Sequence, residues 1–378
     1  MARTRILVVG AGIAGISLAC ELAVDHDVVV LEAEASLAVH STGRSAALYI
    51  PDYGPPAVRA LTKSSEPAFD RLTAEVGSPL LIPRGGLVTA WDDQSAAGLA
   101  SNLKEPDSRL ASIAPAAAVA LCPVLSLEGL RAAAFDDTTR DIDVMALHSA
   151  YARQLKRLGG TVEVGAAIAT VSRSRDGWQL RARDGRNWAG DVVINAAGAW
   201  GDHIATLCAV SPHGLQARRR TIVIARSSTA IDPSWPLVQD ASERWYFKPD
   251  GGALLLSPED ATPVPPGDVR PDPLDVATAL ERVNQVTSLD VRSVQSCWAG
   301  LRTFARDGVP VVGWHPEDAS LFCFVGQGGY GIQMAPELAS VGAELLRGNT
   351  PTGRGSWLRG VLDPGRRALS PDGAALQG

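Results

Sequence analysis

The chain has 378 residues, 46% of them hydrophobic and 20% charged, with a formal net charge of -6 at pH 7. That length is enough for one large or two medium domains with a full core, and that balance excludes a disordered chain. The charge is spread along the sequence, and the one compact basic run, Arg218-Arg219-Arg220, is too short for a nucleic-acid footprint, so no nucleic-acid partner is expected. Cys20, Cys122, Cys208, Cys297 and Cys323 are an odd set without C-x-x-C spacing, which argues against a disulfide framework and a zinc site and for reduced thiols. No apolar stretch reaches the roughly 20 residues that span a bilayer, and the short run after Arg5 passes straight into a glycine motif rather than a cleavage site. The expectation is a cytoplasmic protein with no integral membrane segment.

In chain order, residues 5–9 predict a β-branched strand, Gly10, Gly12 and Gly15 a turn, residues 16–23 an apolar-faced helix, and residues 27–31 a second buried strand. Together they form a βαβ unit. Its first glycine permits the tight turn, its second lets backbone approach a pyrophosphate, and its third lets helix and strand pack closely. The helix N-terminus offers unpaired N–H groups to phosphates. Glu32 closes the second strand, where a carboxylate accepts from ribose hydroxyls and disfavours the 2′-phosphate of NADP.

This unit alone does not separate NAD from FAD. Residues 40–54, "HSTGRSAALYIPDYG", follow the second strand directly, and Ser41, Thr42 and Gly43 offer hydroxyls and a close turn suited to the second phosphate and ribityl chain of FAD. Read by itself, the same segment is equally a polar surface loop. "PLLIPRGGLVTAW", "RTIVIARS" and "RWYFKPDGGALLLSP" predict further strands, the last pair turning at Asp250-Gly251-Gly252. "DVVINAAGAWGDHI" at 191–204 predicts a return to the nucleotide sheet, and "LFCFVGQGGYGIQMAPELASVGAELL" at 321–346 repeats strand, glycine turn and helix, aiming a second helix N-terminus at a ligand.

Other groups point away from alternative chemistries. Six histidines lack metal-ligand spacing, so no metal is expected, and Ser41 and Thr42 have no base nearby for hydrolysis. Asp141 and Asp143 read as a helix N-cap with first-turn acids. Residues 257–275 read as a proline- and acid-rich surface loop leading into a helix over 276–286, and the tail after Arg347 as irregular or frayed.

The nucleotide motif, "HSTGRSAA", "INAAGAW", "WAGLRTF" at 298–304 and "GQGGYGIQ" at 326–333 occur in the order of the D-amino acid oxidase and glycine oxidase family of FAD enzymes. Over nearly its whole length the chain is similar to the bacterial D-arginine dehydrogenase group within it. The resemblance implies an α/β protein with a Rossmann-type FAD-binding domain (1–47, 141–210 and 302–378), interleaved with an α+β substrate domain built on a mostly antiparallel sheet (48–140 and 211–301). The site would lie between them.

FAD contacts implied in the first unit are Gly10, Gly12, Ile13, Ala14, Gly15, Glu32 and Ala33; the following loop adds Ser41, Thr42, Gly43, Ser45, Ala46 and Ala47. Val171, Ala196, Gly198 and Trp200 come from the middle of the chain, and Arg302, Gly328, Gly329, Tyr330, Gly331, Ile332 and Gln333 from its last third. An amino acid oxidised beside a flavin must have its carboxylate gripped so that Cα–H points at flavin N5, and a bidentate guanidinium does this best. By resemblance Arg302 and Arg220 supply the grip, Tyr246 adds a phenol donor, and Tyr53 walls the substrate and places its amine.

Leu48, Ile50, Leu87 and Gly329 are the implied substrate pocket. Arginine-preferring relatives carry a glutamate at the position matched to Leu87 and a histidine at that of Leu48. A guanidinium buried against leucine costs several kcal/mol. The expectation is therefore a neutral, hydrophobic D-amino acid, with D-arginine poor and the electron acceptor unknown. A tailoring oxidase for a cyclic or N-substituted amino acid and a non-catalytic flavoprotein subunit are the alternatives.

Overall fold

The computed structural model describes residues 3–349 and 357–369. Its centre is a six-stranded sheet in the order Val311–His315, Asp318–Val325, Val192–Asn195, Arg5–Val9, Asp27–Leu31, Thr161–Glu163. All neighbours are parallel except the antiparallel edge strand Val311–His315. Period-two alternation explains why both faces are covered. Ile6, Val8, Val28, Val30 and Phe324 pack under helices Ile13–Leu22, Val144–Arg157 and Ala335–Leu346. Leu7, Val9, Val29, Leu31 and Val193 pack under Trp178 and Leu180 of the three-stranded sheet 168–190. Strand Arg5–Val9 has chain-adjacent Asp27–Leu31 on one side and distant Val192–Asn195 on the other, which makes its carboxyl end the switch point where such sheets open a crevice.

A second, nine-stranded sheet runs Gln327–Gly328, Ser293–Phe304, Gln216–Arg226, Ala253–Ser257, Tyr246–Asp250, Leu237–Asp240, Gly86–Ala90, Ala132–Asp136, Ala111–Ile113. It is antiparallel apart from the pairing of Leu237–Asp240 with Gly86–Ala90. One face buries Val223, Val238, Phe247 and Leu256 against helix Pro273–Val286; the other carries Ile222, Leu237, Tyr246 and Leu255, with Leu48 and Ile50 laid over them. The fold is thus Rossmann-type α/β interleaved with an α+β part.

Element packing differs from the expected division at three places. Helix Pro56–Val76, assigned to the substrate part, buries Val58, Leu61 and Phe69 in the core beneath the parallel sheet. Its amphipathic stripe matches the neighbouring helices better than the antiparallel sheet, whose faces are already filled. Strand Ser293–Phe304 runs unbroken across the boundary at 302, and Gln327–Gly328 pairs with Thr303 and Phe304. Asp143 caps its helix by accepting from Ala146 N at 2.9 Å, but Asp141 does not: its carboxylate takes Arg84 at 2.6 Å and Lys248 at 2.6 Å. Of the tail, 350–356 and 370–378 lie outside the described residues, while Leu358 and Leu362 are buried in the main core. No helix among the described residues is long and apolar enough to cross a membrane, and none of their acidic, histidine and cysteine side chains group as metal ligands.

Candidate active site

A cavity of about 610 Å³ lies at the carboxyl end of the parallel sheet and is walled by both sheets. Gly10 sits in the left-handed region at φ 104, and a Cβ there would meet Ala196 O at 2.6 Å, so no other residue makes this turn without moving a neighbouring strand. Gly15 touches no cavity. A Cβ on it would stand 1.9 Å from Gly10 O, so its glycine lets the helix close onto the turn. Gly12 begins the helix and has no side chain to cap it, which leaves first-turn amides available to an anion. Ile13 N is the exception and donates to Thr42 Oγ1 at 3.0 Å.

Glu32 is held from behind. Its Oε2 accepts from Ala11 N at 2.8 Å and its Oε1 from Glu34 N at 3.0 Å, which fixes the carboxylate on the cavity wall with lone pairs to spare. His148 Nε2 donates to Ala11 O at 2.8 Å; burial pushes its pKa below the ordinary value, so it is a neutral structural prop. Ser41 donates to Leu301 O at 2.7 Å and Trp298 Nε1 to Arg44 O at 3.0 Å, which ties the loop after the second strand to the nine-stranded sheet. Such an arrangement of glycine turn, uncapped helix start and anchored acid fits the pyrophosphate and ribose of a dinucleotide. Ser45, Ala46, Ala47, Ala196, Gly198, Trp200 and Gly331 continue the same wall.

Across the cavity stands Arg302. Its Nη1 donates to the Tyr53 hydroxyl at 3.2 Å, and a Cβ at Gly329 would lie 2.6 Å from its Nε, so only glycine fits beside the guanidinium. The partner that the described residues give this permanent cation is a phenol rather than a carboxylate. Tyr53 packs edge-on against Tyr330 with centroids 5.2 Å apart, and Tyr330 against Phe304 at 6.2 Å. Gln333 fixes the chain opposite, accepting from Ile50 N at 3.1 Å and donating to Thr62 Oγ1 at 3.1 Å.

Arg220 and Tyr246 line the same cavity. Arg220 Nε donates to Asp260 O at 2.9 Å, but its Nη1 is buried with no partner, as is the Tyr246 hydroxyl. Burial pushes the Tyr246 phenol up to about 12, so it is neutral and able to donate at physiological pH. The other arginines of the run do not reach the cavity: Arg219 pairs with Asp275 at 2.7 Å and Arg218 lies over Phe304 at 5.3 Å.

Five expected site residues do not line the cavity. Leu87 is fully buried in the core of the nine-stranded sheet beside Val238 and Phe247, because its Cα pairs with Val238 and therefore shares the far face. Val171 pairs with Leu180 farther along the strand Ile168–Ser174, whose first residue stands on the wall with Ala166, Ala167 and Arg183. Gly15, Gly43 and Tyr330 support the wall from behind; a Cβ on Gly43 would meet Ala38 O at 2.3 Å. Among the residues that the sequence left unmarked and that do line it are two polar ones beside Arg220, Gln239 and Glu259. Glu259 is 8% exposed, its Oε1 takes Gln239 Nε2 at 3.3 Å, and its Oε2 has no partner. Burial, opposed by Arg220 and aided by Glu243, pushes its carboxyl up to about 7. The one signal in sequence is an acid placed two residues beyond the wholly buried strand Ala253–Ser257.

A dinucleotide cradle thus faces, across one cavity, the guanidinium groups of Arg302 and Arg220. The chain belongs to the FAD-dependent oxidoreductase (DAO) family, whose model matches residues 5–345, and FAD is its cofactor. It is 28% identical over 176 residues to the bovine FAD-dependent oxidoreductase domain-containing protein 1, a match covering 41% of this chain and 35% of that one. The chain thus spans about a third of that relative's length. Glycine oxidase of Pseudomonas putida is 24% identical over 368 residues, covering 92% of this chain and 95% of the relative. Among solved structures, glycine oxidase from Geobacillus kaustophilus superposes with a TM-score of 0.81 at 20% identity over 96% of this chain and 99% of its own. L-proline dehydrogenase from P. horikoshii does so with 0.83 at 20% identity, over 96% and 97%.

Proposed function

We propose that the protein oxidises the α-amine of a neutral amino acid, of the D configuration, to an imino acid that water hydrolyses. The observation that carries this reading is Arg302: a half-buried guanidinium on the cavity wall, seated against Gly329 and given a phenol rather than a carboxylate as partner by the described residues, calls for an anion from the ligand. FAD supplies the two-electron oxidation when bound. Arg302 grips the carboxylate, and the free Tyr246 hydroxyl donates to it. Tyr53, held by Arg302 and by the Tyr330 ring, walls the substrate on the amine side. Leu48 and Ile50, with Ile222 and Leu237 behind them, exclude water from the reacting carbon and supply an apolar surface. Arg220 beside Glu259 cancels its charge, which disfavours a cationic side chain and supports D-arginine as a poor substrate.

The test is anaerobic mixing of FAD-loaded protein with D- and L-amino acids, glycine, and N-substituted and cyclic amino acids. Bleaching by a neutral D-amino acid with the highest kcat/KM is expected. A maximum with D-arginine overturns the side-chain reading, one with an N-methyl or cyclic substrate favours a tailoring oxidase, and no bleaching by any amine favours a non-catalytic subunit.

A further inference from the structure

Four buried side-chain atoms on the cavity wall have no hydrogen-bond partner among the described residues: Arg220 Nη1, Tyr246 Oη, Glu259 Oε2 and Gln327 Nε2. Tyr246 is satisfied by the substrate carboxylate in the reading above. With Arg302 rather than Arg220 gripping that carboxylate, Arg220 Nη1 and Glu259 Oε2 are left over, and they are neighbours. Arg220 Nη1 stands 3.9 Å from Glu259 Oε1, too far for a hydrogen bond, with the two side chains only 10% and 2% exposed. A buried donor and a buried acceptor are each costly to leave unpaired. The backbone holds them there deliberately: Glu259 is a non-glycine residue at φ 55, its N–H tied to Ser257 Oγ at 3.1 Å, and Gln239 occupies Oε1.

The ligand group that satisfies both must carry an acceptor and a donor and no net charge. A hydrocarbon leaves both atoms unpaired. An ammonium meets Glu259 but lies against Arg220, and a carboxylate meets Arg220 but lies against Glu259. Resting on the amino-acid reading, we propose that Arg220 and Glu259 form a specificity subsite for a carboxamide on the substrate side chain, its carbonyl accepting from Arg220 Nη1 and its N–H donating to Glu259 Oε2. The preferred substrate is then neutral, as expected from the sequence, but polar at its tip rather than hydrophobic throughout.

The experiment uses three isosteric acids that lack an amine and are not oxidised: succinamate, succinate and 4-methylpentanoate. Their Kd is measured at pH 8 on FAD-loaded enzyme from the change in flavin absorbance. Wild type is expected to bind succinamate about tenfold more tightly than either of the others, the worth of one good buried hydrogen bond. E259L is expected to lose about that factor for succinamate while 4-methylpentanoate binds as well or better, and R220M to act in the same sense. Equal or tighter binding of 4-methylpentanoate by wild type, or no effect of E259L on succinamate, overturns the subsite. The wild-type ranking decides the matter even where a variant takes up no FAD. If no acid binds and no amino acid bleaches the flavin, the amino-acid reading itself falls and the subsite with it; if acids bind in the wrong order, only the subsite falls.

Discussion

Replacing Glu259 by glutamine is expected to make the protein more stable at neutral pH, and by an amount that grows with pH. Its carboxyl is held at about 7 against an ordinary 4.5, chiefly by burial. Below pH 4.5 the group is protonated in both the folded and unfolded chain and contributes nothing. Between 4.5 and 7 the unfolded chain ionises while the folded one keeps its proton, so rising pH draws the equilibrium toward unfolding. Above 7 the whole penalty is present, about 3 kcal/mol for a shift of this size. For a chain of this length that corresponds to roughly 4 °C in Tm. Glutamine does not titrate, so the Tm of E259Q minus that of wild type, recorded on FAD-loaded protein from pH 4 to 8, should climb by about that much across the window and then level. A flat difference refutes the placement of a buried, unsatisfied carboxyl on this wall.

Leu87→Ala removes a fully buried side chain and should cost about 2–5 kcal/mol in denaturant unfolding while leaving the ranking of amino-acid substrates unchanged; an altered ranking would return Leu87 to the pocket. Glu32→Gln turns an amide N–H toward a backbone N–H, at Ala11 or at Glu34, and should weaken FAD binding about tenfold in a fluorescence titration; an unchanged Kd would remove Glu32 from the nucleotide site. Tyr53→Phe deprives Arg302 of its phenol partner and should raise KM about tenfold with kcat within about threefold, since the guanidinium remains but is less well held; a fall in kcat alone would give Tyr53 a role in the reacting step instead.

The nucleotide cradle was legible because its requirements are local. Glycines at fixed offsets, an acid at the end of the next strand and β-branched runs on either side specify one turn, and the hydrogen bonds that hold it join residues of the first βαβ unit and the loop after it. Arg302 was legible because a guanidinium directly after the apolar segment 298–301 needs an explanation. Leu87 was misplaced because a strand alternates faces at every residue, so an error of one position in matching segments moves a side chain from the cavity into the core. Glu259 was missed for a different reason. Its segment, rich in proline and acid, has the composition of a surface loop, and only the tertiary packing of residues 220, 239 and 246 around it removes it from water. Helix Pro56–Val76 follows the same pattern: its apolar stripe was readable, but which of two cores it joins depends on helices far along the chain.

Whether Arg302 anchors the substrate's acid group is decided by Arg302→Met, assayed for FAD content and for anaerobic flavin reduction by the best amino acid. The expected variant is a yellow protein with full FAD whose kcat/KM falls roughly a hundredfold or more, as when one partner of a desolvated charge pair is removed. A variant that holds FAD and reduces it with undiminished kcat/KM would contradict that anchoring role.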